Sequence, residues 1–278
     1  MNGRPVNGGI VDSHVHILPE PLASKIRAFF DAHLPGPLKY ATEPHAIVEQ
    51  LAAAGIASAW TLPYAHRPGI ADDLNRSMVS LVEGLADGPV ELVAGLTVHP
   101  GDAHPGAIVR HAVQVLGSKV LKLHCSVGDF SITDPRLCSV WEVAAGSRLP
   151  VVLHLGRSIS GETEARDLAG LSHVAIANPT VPLIVAHCGS PATGEVLDLL
   201  RRHPNIYADL TPVIVEPVLP EPESVEELHS RILLGTDAPN VGLDAAEVIS
   251  AIMDRYSETA RAAILGGNAR RLLSDIRP

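Results

Sequence analysis

The amino-acid sequence predicts a single (β/α)8 TIM barrel, an α/β fold, from three observations. Eight short apolar runs alternate with helical patterns along the 278 residues. The runs are nearly continuous in hydrophobicity, which is typical of parallel strands buried on both faces. No glycine-rich phosphate loop follows the first run, which disfavours a dinucleotide-binding fold. Eight such units in a chain of this length favour a closed barrel over an open doubly wound sheet.

The predicted strands and helices follow one another without a low-complexity linker. The predicted strands cover residues 10–16, 56–62, 90–99, 119–124, 149–155, 181–187, 205–210 and 231–237. The predicted helices cover residues 44–54, 71–86, 105–116, 163–171, 191–202, 225–230 and 244–256. A further helix opens at Asp134 and Pro135, which suit the N-cap and the first helical position. We therefore expect residues 1–278 to form one barrel domain.

Residues 17–42 separate the first predicted strand from the regular βα repeat. Apolar side chains recur at helical spacing from Leu22 to Phe30, which predicts a short amphipathic helix within a long loop. Two interpretations are open for this segment. It either forms a lid that covers a site or packs on the protein surface.

Composition and charge exclude several classes of function. The chain is 46% hydrophobic and 19% charged, with a net charge of −10, and no basic cluster is broad enough to follow a phosphate backbone. Nucleic acid and membrane are therefore not expected partners, whereas a small-molecule substrate is. Three cysteines without C-x-x-C spacing indicate a reducing compartment, and no signal peptide or membrane span is evident, so we expect a cytoplasmic protein. The apolar composition also permits a homodimer.

The first predicted strand carries two histidines, in the sequence I-V-D-S-H-V-H. The period of two in a strand would place His14 and His16 on one face, together with Asp12. Neutral imidazole nitrogens bind zinc and other divalent ions, so the two histidines would supply neighbouring ligands. A single H-x-H motif is weak evidence, because a polar strand end gives the same pattern.

Several later apolar runs also end in a histidine or an acidic residue. The carboxyl ends of barrel strands meet at one mouth, where active sites form. Histidines scattered by chance would not favour the last positions of apolar runs. The polar residues at the strand ends are His14, His16, His99, Lys122, His124, His154, His187 and Asp237. We predict that they converge on one mouth.

These residue types predict a catalytic metal site. The predicted ligands are His14, His16, His154 and Asp237. Three neutral nitrogens and one carboxylate leave a position open for water, which distinguishes a catalytic metal site from a structural one. A metal ion makes bound water acidic enough to supply hydroxide near neutral pH. Asp237 would accept the proton of that water, and His187 would transfer a proton at the reacting centre or bind the metal as well.

Other residues at the predicted mouth have more than one interpretation. Lys122 is either a structural or substrate-facing cation or, if carbamylated, a bridge between two metal ions. His124 shares a strand face with Lys122 and would support the site, contact substrate or bind a second metal. Arg157 and Arg67 follow strands at the same mouth, where each either binds a substrate carboxylate or faces solvent.

The chain resembles the amidohydrolase superfamily in motifs that occur in the same order, namely D-S-H-V-H, V-L-K-L-H, V-V-L-H-L-G, I-V-A-H-C-G, L-L-G-T-D-A-P and I-L-G-G-N-A-R-R-L-L. It is most similar to the amidohydrolase-related (amidohydrolase 2) branch of metal-dependent hydrolases and decarboxylases. The resemblance implies a distorted (β/α)8 barrel with one metal ion, usually zinc. The residues matching the family's ligands are His14, His16, His154 and Asp237. His187 matches a catalytic or second-metal histidine, and Lys122 leaves the binuclear arrangement of the superfamily open.

The expected function is that of a metal-dependent hydrolase that uses a metal-activated water to cleave a C–N or C–O bond of a small amide, ester or lactone. The alternative is a metal-dependent, non-oxidative decarboxylase of an aromatic or unsaturated carboxylic acid. A third hypothesis is a non-catalytic barrel that binds a metal or another ligand for regulation or assembly. The expected cofactor is one zinc ion per chain, and a binuclear site is the alternative.

Overall fold

The computed structural model describes residues 8–34, 36–155 and 165–277. Eight parallel strands form one sheet in which each strand pairs with the next in sequence. The strands are β1 (Ile10–Val15), β2 (Ile56–Thr61), β3 (Glu91–Thr97), β4 (Val120–His124), β5 (Val151–His154), β6 (Leu183–Val185), β7 (Ile206–Asp209) and β8 (Ile232–Leu233). The predicted (β/α)8 barrel is confirmed.

Helices connect the strands and cover the outside of the barrel. They are α1 (Leu22–His33), α2 (Pro44–Ala53), α3 (Ala71–Gly84), α4 (Pro105–Gln114), α5 (Cys125–Gly128), α6 (Cys138–Ser147), α7 (Ala165–Ala177), α8 (Thr193–Arg202), α9 (Pro222–Leu228), α10 (Ala245–Arg255), α11 (Glu258–Ala262) and α12 (Asn268–Ser274). Within the described ranges, no helix is both long and apolar enough to cross a membrane.

The barrel closes between β1 and the residues that follow β8. The backbone of Ser13 donates to Leu234 at 2.9 Å, that of Asp237 donates to His14 at 2.8 Å, and that of His16 donates to Ala238 at 2.6 Å. We predicted a regular strand over residues 231–237, but regular pairing with β7 covers only Ile232–Leu233. One reason is that the Leu234 amide donates to the Ile264 carbonyl and not to a neighbouring strand.

Inside the barrel, an apolar layer lies below a polar one. The apolar layer takes side chains from successive strands, namely Val11, Trp60, Val93, Val120, Val152, Ile184 and Leu233. Ala269 and Leu272 of α12 pack against it, so α12 closes the barrel end at which the strands begin. Lys122 and His154 follow Val120 and Val152 by two residues and therefore form part of the polar layer at the other end.

The first strand departs from the regular alternation that the sequence predicts. Its register with β2 shifts between Asp12 and Val15, so that an extra residue of β1 is accommodated there. The expectation that Asp12 would share a face with His14 and His16 is therefore wrong. The Asp12 carboxylate instead accepts a 2.5 Å hydrogen bond from the Thr236 hydroxyl.

Other elements also end differently from their predicted limits. The sixth strand ends at Val185, because His187 and Cys188 have left-handed backbone conformations with φ of 55° and 46°. The predicted N-cap at Asp134 is confirmed, since its side chain accepts from the Arg136 amide. It opens a short 3-10 turn before α6.

The predicted helix within residues 17–42 is confirmed as α1 (Leu22–His33). No residue of α1 is fully buried, and its apolar side chains pack against a cluster that contains Leu18, Leu74 and Met78. A narrow cavity beside His16 is lined partly by Ile26 and Arg27 of this helix. The segment thus lies next to the mouth, and its role as a lid stays a prediction.

The last of the family-like motifs, I-L-G-G-N-A-R-R-L-L, contains the buried side chain of Asn268. This side chain is 1% exposed and donates to the carbonyls of His229 and Ile232, both at 2.7 Å. It thereby joins α12 to the start of β8.

We predict that Asn268→Ala lowers the free energy of unfolding by about 2 to 3 kcal/mol, because it removes two hydrogen bonds and leaves buried carbonyls without a donor. The half-buried Asn178, whose amide donates to Val174, provides a control. Asn178→Ala should cost about 1 kcal/mol or less. Urea unfolding of both variants checks the difference, and equal losses would contradict the role given to Asn268.

Candidate active site

His14 of β1 and His16, which directly follows β1, are both fixed through Nδ1. His14 is fully buried and donates from Nδ1 to Asp209 Oδ2 at 2.9 Å. His16 donates from Nδ1 to the Leu62 carbonyl at 2.6 Å. Because each Nδ1 carries the proton, each Nε2 presents a lone pair. The rings meet edge to face, with centroids 5.1 Å apart.

Asp237 lies opposite these lone pairs. Its Oδ1 is 3.2 Å from His16 Nε2 and 3.7 Å from His14 Nε2, and its side chain is 17% exposed. Gly235, two residues earlier, is needed for this approach. A Cβ at that position would overlap the Thr211 hydroxyl and lie 2.8 Å from His14 Cβ.

His187 enters the same space from the turn after β6. Its left-handed backbone turns the chain sharply, and its amide donates to Asp209 Oδ1 at 2.8 Å. Its ring donates from Nδ1 to the Pro212 carbonyl at 3.1 Å, so its Nε2 also carries a lone pair. Candidate ligand atoms of His14, His187 and Asp237 all lie within 4.8 Å of one another. Two imidazole nitrogens and a carboxylate oxygen at this spacing fit a divalent metal ion.

His124 and His154 form a stacked pair at the other side of the mouth. Their ring centroids are 3.9 Å apart and their planes differ by 13°. An imidazole lone pair lies in the ring plane, so two parallel rings cannot direct their lone pairs at one ion. His154 also contacts His187, at a centroid distance of 4.8 Å. His154 therefore lies beside the group formed by His14, His187 and Asp237 but does not belong to it. Its role as a ligand stays a prediction.

Lys122 places a cation at the centre of the polar layer. The side chain is fully buried, and its Nζ donates to His14 Nε2 at 3.0 Å. Burial lowers the pKa of Lys122 to about 8, although the negative charges of Asp209 and Asp237 oppose this shift. The inward direction predicted for Lys122 agrees with this position.

The surroundings favour neutral imidazoles at His14, His124 and His154. They favour ionised carboxylates at Asp209 and Asp237. Burial, together with the charge of Lys122, lowers the pKa of His14 to about 3. Burial also holds the pKa values of His124 and His154 well below the usual range. Burial alone would raise the pKa of Asp209, but its contacts with His14 lower it to about 2.

The structure does not place every residue predicted at the mouth in the candidate site. His99 is a structural residue, because its Nε2 donates to the Gly128 carbonyl and its Nδ1 accepts from the Gly101 amide. Arg67 is exposed. Arg157 lies outside the described residues.

Sequence reasoning missed two residues of the site. Asp209 ends the seventh apolar run, so the strand-end rule that selected the histidines would also have found it. Tyr64 follows β2, and its ring contacts His16 and His124 at centroid distances of 5.5 and 5.2 Å. A loop residue of this kind gives no signal in the strand pattern.

We predict that, in the chelator-treated protein, the free energy of unfolding rises between pH 4 and pH 6.5. The unfolded chain protonates histidines near pH 6.5, whereas the folded chain keeps His14, His124 and His154 neutral to lower pH. Stability from these groups is therefore present above pH 6.5 and lost as the pH falls. Each net proton contributes a slope of about 1.4 kcal/mol per pH unit.

Asp12 provides the control for this profile. Burial raises its pKa to about 7 from 3.8, so its contribution has the opposite sign between those values and partly offsets the histidines. Asp12→Asn should therefore steepen the rise. Urea unfolding at several pH values measures both slopes, and a flat or falling wild-type profile would contradict the neutral histidines.

The chain belongs to the amidohydrolase family, since the family model described as "Amidohydrolase" matches residues 11–274. No curated protein sequence matches the chain.

Solved structures with the same fold include three instructive examples. An uncharacterized TIM-barrel protein from Bordetella bronchiseptica is 18% identical with a TM-score of 0.72, and the match covers 96% of this chain and 98% of that one. The 5-carboxyvanillate decarboxylase from Sphingomonas paucimobilis is 15% identical with a TM-score of 0.68, covering 95% and 98%. A dihydroxybenzoic acid decarboxylase from Polaromonas sp. JS666, with bound manganese and the inhibitor 2-nitroresorcinol, is 16% identical with a TM-score of 0.64, covering 96% and 97%. At these identities the similarity establishes the fold.

Proposed function

We propose that this protein is a metal-dependent hydrolase that cleaves a C–N or C–O bond of a small amide, ester or lactone. One observation carries the proposal. Three imidazoles, of His14, His16 and His187, are all fixed through Nδ1, and the Asp237 carboxylate lies opposite the lone pairs of His14 and His16. Nitrogens fixed in this way are typical of catalytic metal sites.

Three of the four proposed ligands converge in this space. His14, His16 and Asp237 would hold one divalent ion, with His154 as the fourth ligand predicted from the sequence and His187 as an alternative to it. Zinc is the proposed metal because imidazole nitrogens suit it, and a manganese ion in a protein of the same fold makes manganese the second choice. A bound ion would polarise a substrate carbonyl and make water a stronger acid.

Asp237 and His187 are the proposed acid–base residues. Asp237 is anionic, because contacts with His16, His187 and His14 lower its pKa despite burial. Its partly exposed carboxylate can accept a proton from water at the mouth. His187 has its Nε2 directed into the same space and would then stabilise the developing oxyanion or assist proton transfer to the leaving group.

A second candidate function is non-oxidative decarboxylation, and Lys122 favours it. A buried ammonium next to His14 provides a fixed positive charge that could attract a substrate carboxylate. Two proteins of the same fold are decarboxylases of aromatic acids, as their names state. Carbamylated Lys122 bridging two metal ions is the remaining alternative for this side chain, and His124 would then contact substrate or the second ion.

The reaction products separate the two candidates. Zinc- and manganese-loaded protein is incubated in 18O-labelled water with p-nitrophenyl acetate, dihydrocoumarin and 2,6-dihydroxybenzoate. The proposal predicts ester or lactone cleavage with 18O in the carboxylic acid product. Release of CO2 from 2,6-dihydroxybenzoate without hydrolysis of the other two would contradict it and support the decarboxylase.

We further predict that Asp237→Asn lowers turnover by about 10² to 10⁴, because the amide cannot accept the proton. The exposed Asp72, whose side chain pairs with Arg76 on α3, provides a control. Asp72→Asn should leave turnover unchanged. Near-normal turnover by the Asp237→Asn variant would overturn the role given to Asp237.

A further inference from the structure

Asp209 contacts two site histidines without belonging to the proposed ligand set. Its side chain is fully buried at the end of β7. One carboxylate oxygen, Oδ2, accepts from His14 Nδ1 at 2.9 Å. The other, Oδ1, accepts from the backbone amides of His187 at 2.8 Å and Thr211 at 3.3 Å.

We propose that Asp209 is a positioning residue that fixes the tautomer of His14 and, through its second oxygen, holds the turn that carries His187. The inference rests on the proposed metal site, because its consequence is that both histidines direct Nε2 at the same point. It extends that proposal by making one carboxylate responsible for the orientation of His14 on β1 and of His187 in the turn after β6.

The tautomer follows from what each atom can donate. An ionised carboxylate only accepts, so the hydrogen of the contact must be on His14 Nδ1. His14 Nε2 is then an acceptor, and the ammonium of Lys122 does donate to it at 3.0 Å. Such a partner on the far ring nitrogen orients the ring and makes the other nitrogen a better ligand.

The turn needs a partner because it is strained. His187 and Cys188 are non-glycine residues with left-handed backbones, a conformation that a Cβ atom disfavours. The Asp209 carboxylate accepts a hydrogen bond from the backbone amide of His187 within this turn. The Pro212 carbonyl accepts a hydrogen bond from the His187 ring, so the last residue of β7 holds the backbone of His187 and the segment after β7 holds its ring.

Asparagine at position 209 provides a sharp probe because it has nearly the same shape. Two backbone amides point at the Oδ1 position, so the amide oxygen of asparagine must stay there. Its NH2 group then faces His14 Nδ1, which has to become an acceptor. His14 would carry its hydrogen on Nε2 and lose the lone pair that faces Asp237.

The first test measures zinc affinity with a competing chromophoric chelator. We expect Asp209→Asn to bind Zn²⁺ about 10 to 100-fold more weakly than the wild type. Asp12→Asn is the matched control, since Asp12 is an equally buried carboxylate that contacts Thr236 and only the backbone of His14. Its zinc affinity should be unchanged. Wild-type affinity in Asp209→Asn, or equal losses in both variants, would overturn the inference.

The second test needs no folded variant. Nitrogen-15 NMR of histidine-labelled, chelator-treated wild-type protein reports which ring nitrogen of His14 carries hydrogen. We expect Nδ1–H, and Nε2–H would overturn the inference. If the wild type binds no zinc at all, the proposed metal site fails, while the tautomer measurement still decides the role of Asp209.

Discussion

The closure of the barrel between β1 and residues 234–238 is the constraint on which the site depends. The backbone hydrogen bonds that join these segments involve His14, His16 and Asp237 themselves, at 2.6 to 2.8 Å. The hydrogen bonds that close the barrel therefore also bring His14 and His16 close to Asp237. Gly235 allows it, because any side chain there would collide with Thr211 and His14. A substitution that separates β1 from residues 234–238 would disturb both the fold and the site.

The polar layer above the apolar interior is stable only as a unit. Taking a cation such as Lys122 out of water is costly unless nearby acceptors and anions compensate. Here His14 accepts from Lys122, Asp209 accepts from His14, and Asp237 adds a second negative charge. With His14 neutral, one cation and two anions leave only a small net charge in this layer, and Nε2 of His16 and of His187 stays available to a ligand.

The repeating apolar runs were sufficient to predict the barrel, because strands buried on both faces leave a strong signal. The strand-end rule also located the histidines and Asp237, which the structure brings to one mouth. It could not predict the register shift in β1 that turns Asp12 toward Thr236, since a bulge leaves no period in the sequence. Nor could it predict the left-handed turn at His187, which depends on acceptors from β7 and the loop after it.

The metal content of the purified chain shows whether the residues at this mouth hold a divalent ion. Protein purified without chelators or added metal is analysed by inductively coupled plasma mass spectrometry, beside a His14→Ala/His16→Ala variant whose folding is verified by circular dichroism. We expect about one zinc or similar divalent ion per wild-type chain and none in the variant, since that variant lacks two neighbouring imidazole nitrogens. An absence of bound metal in the wild type, even after reconstitution at neutral pH, would contradict this expectation.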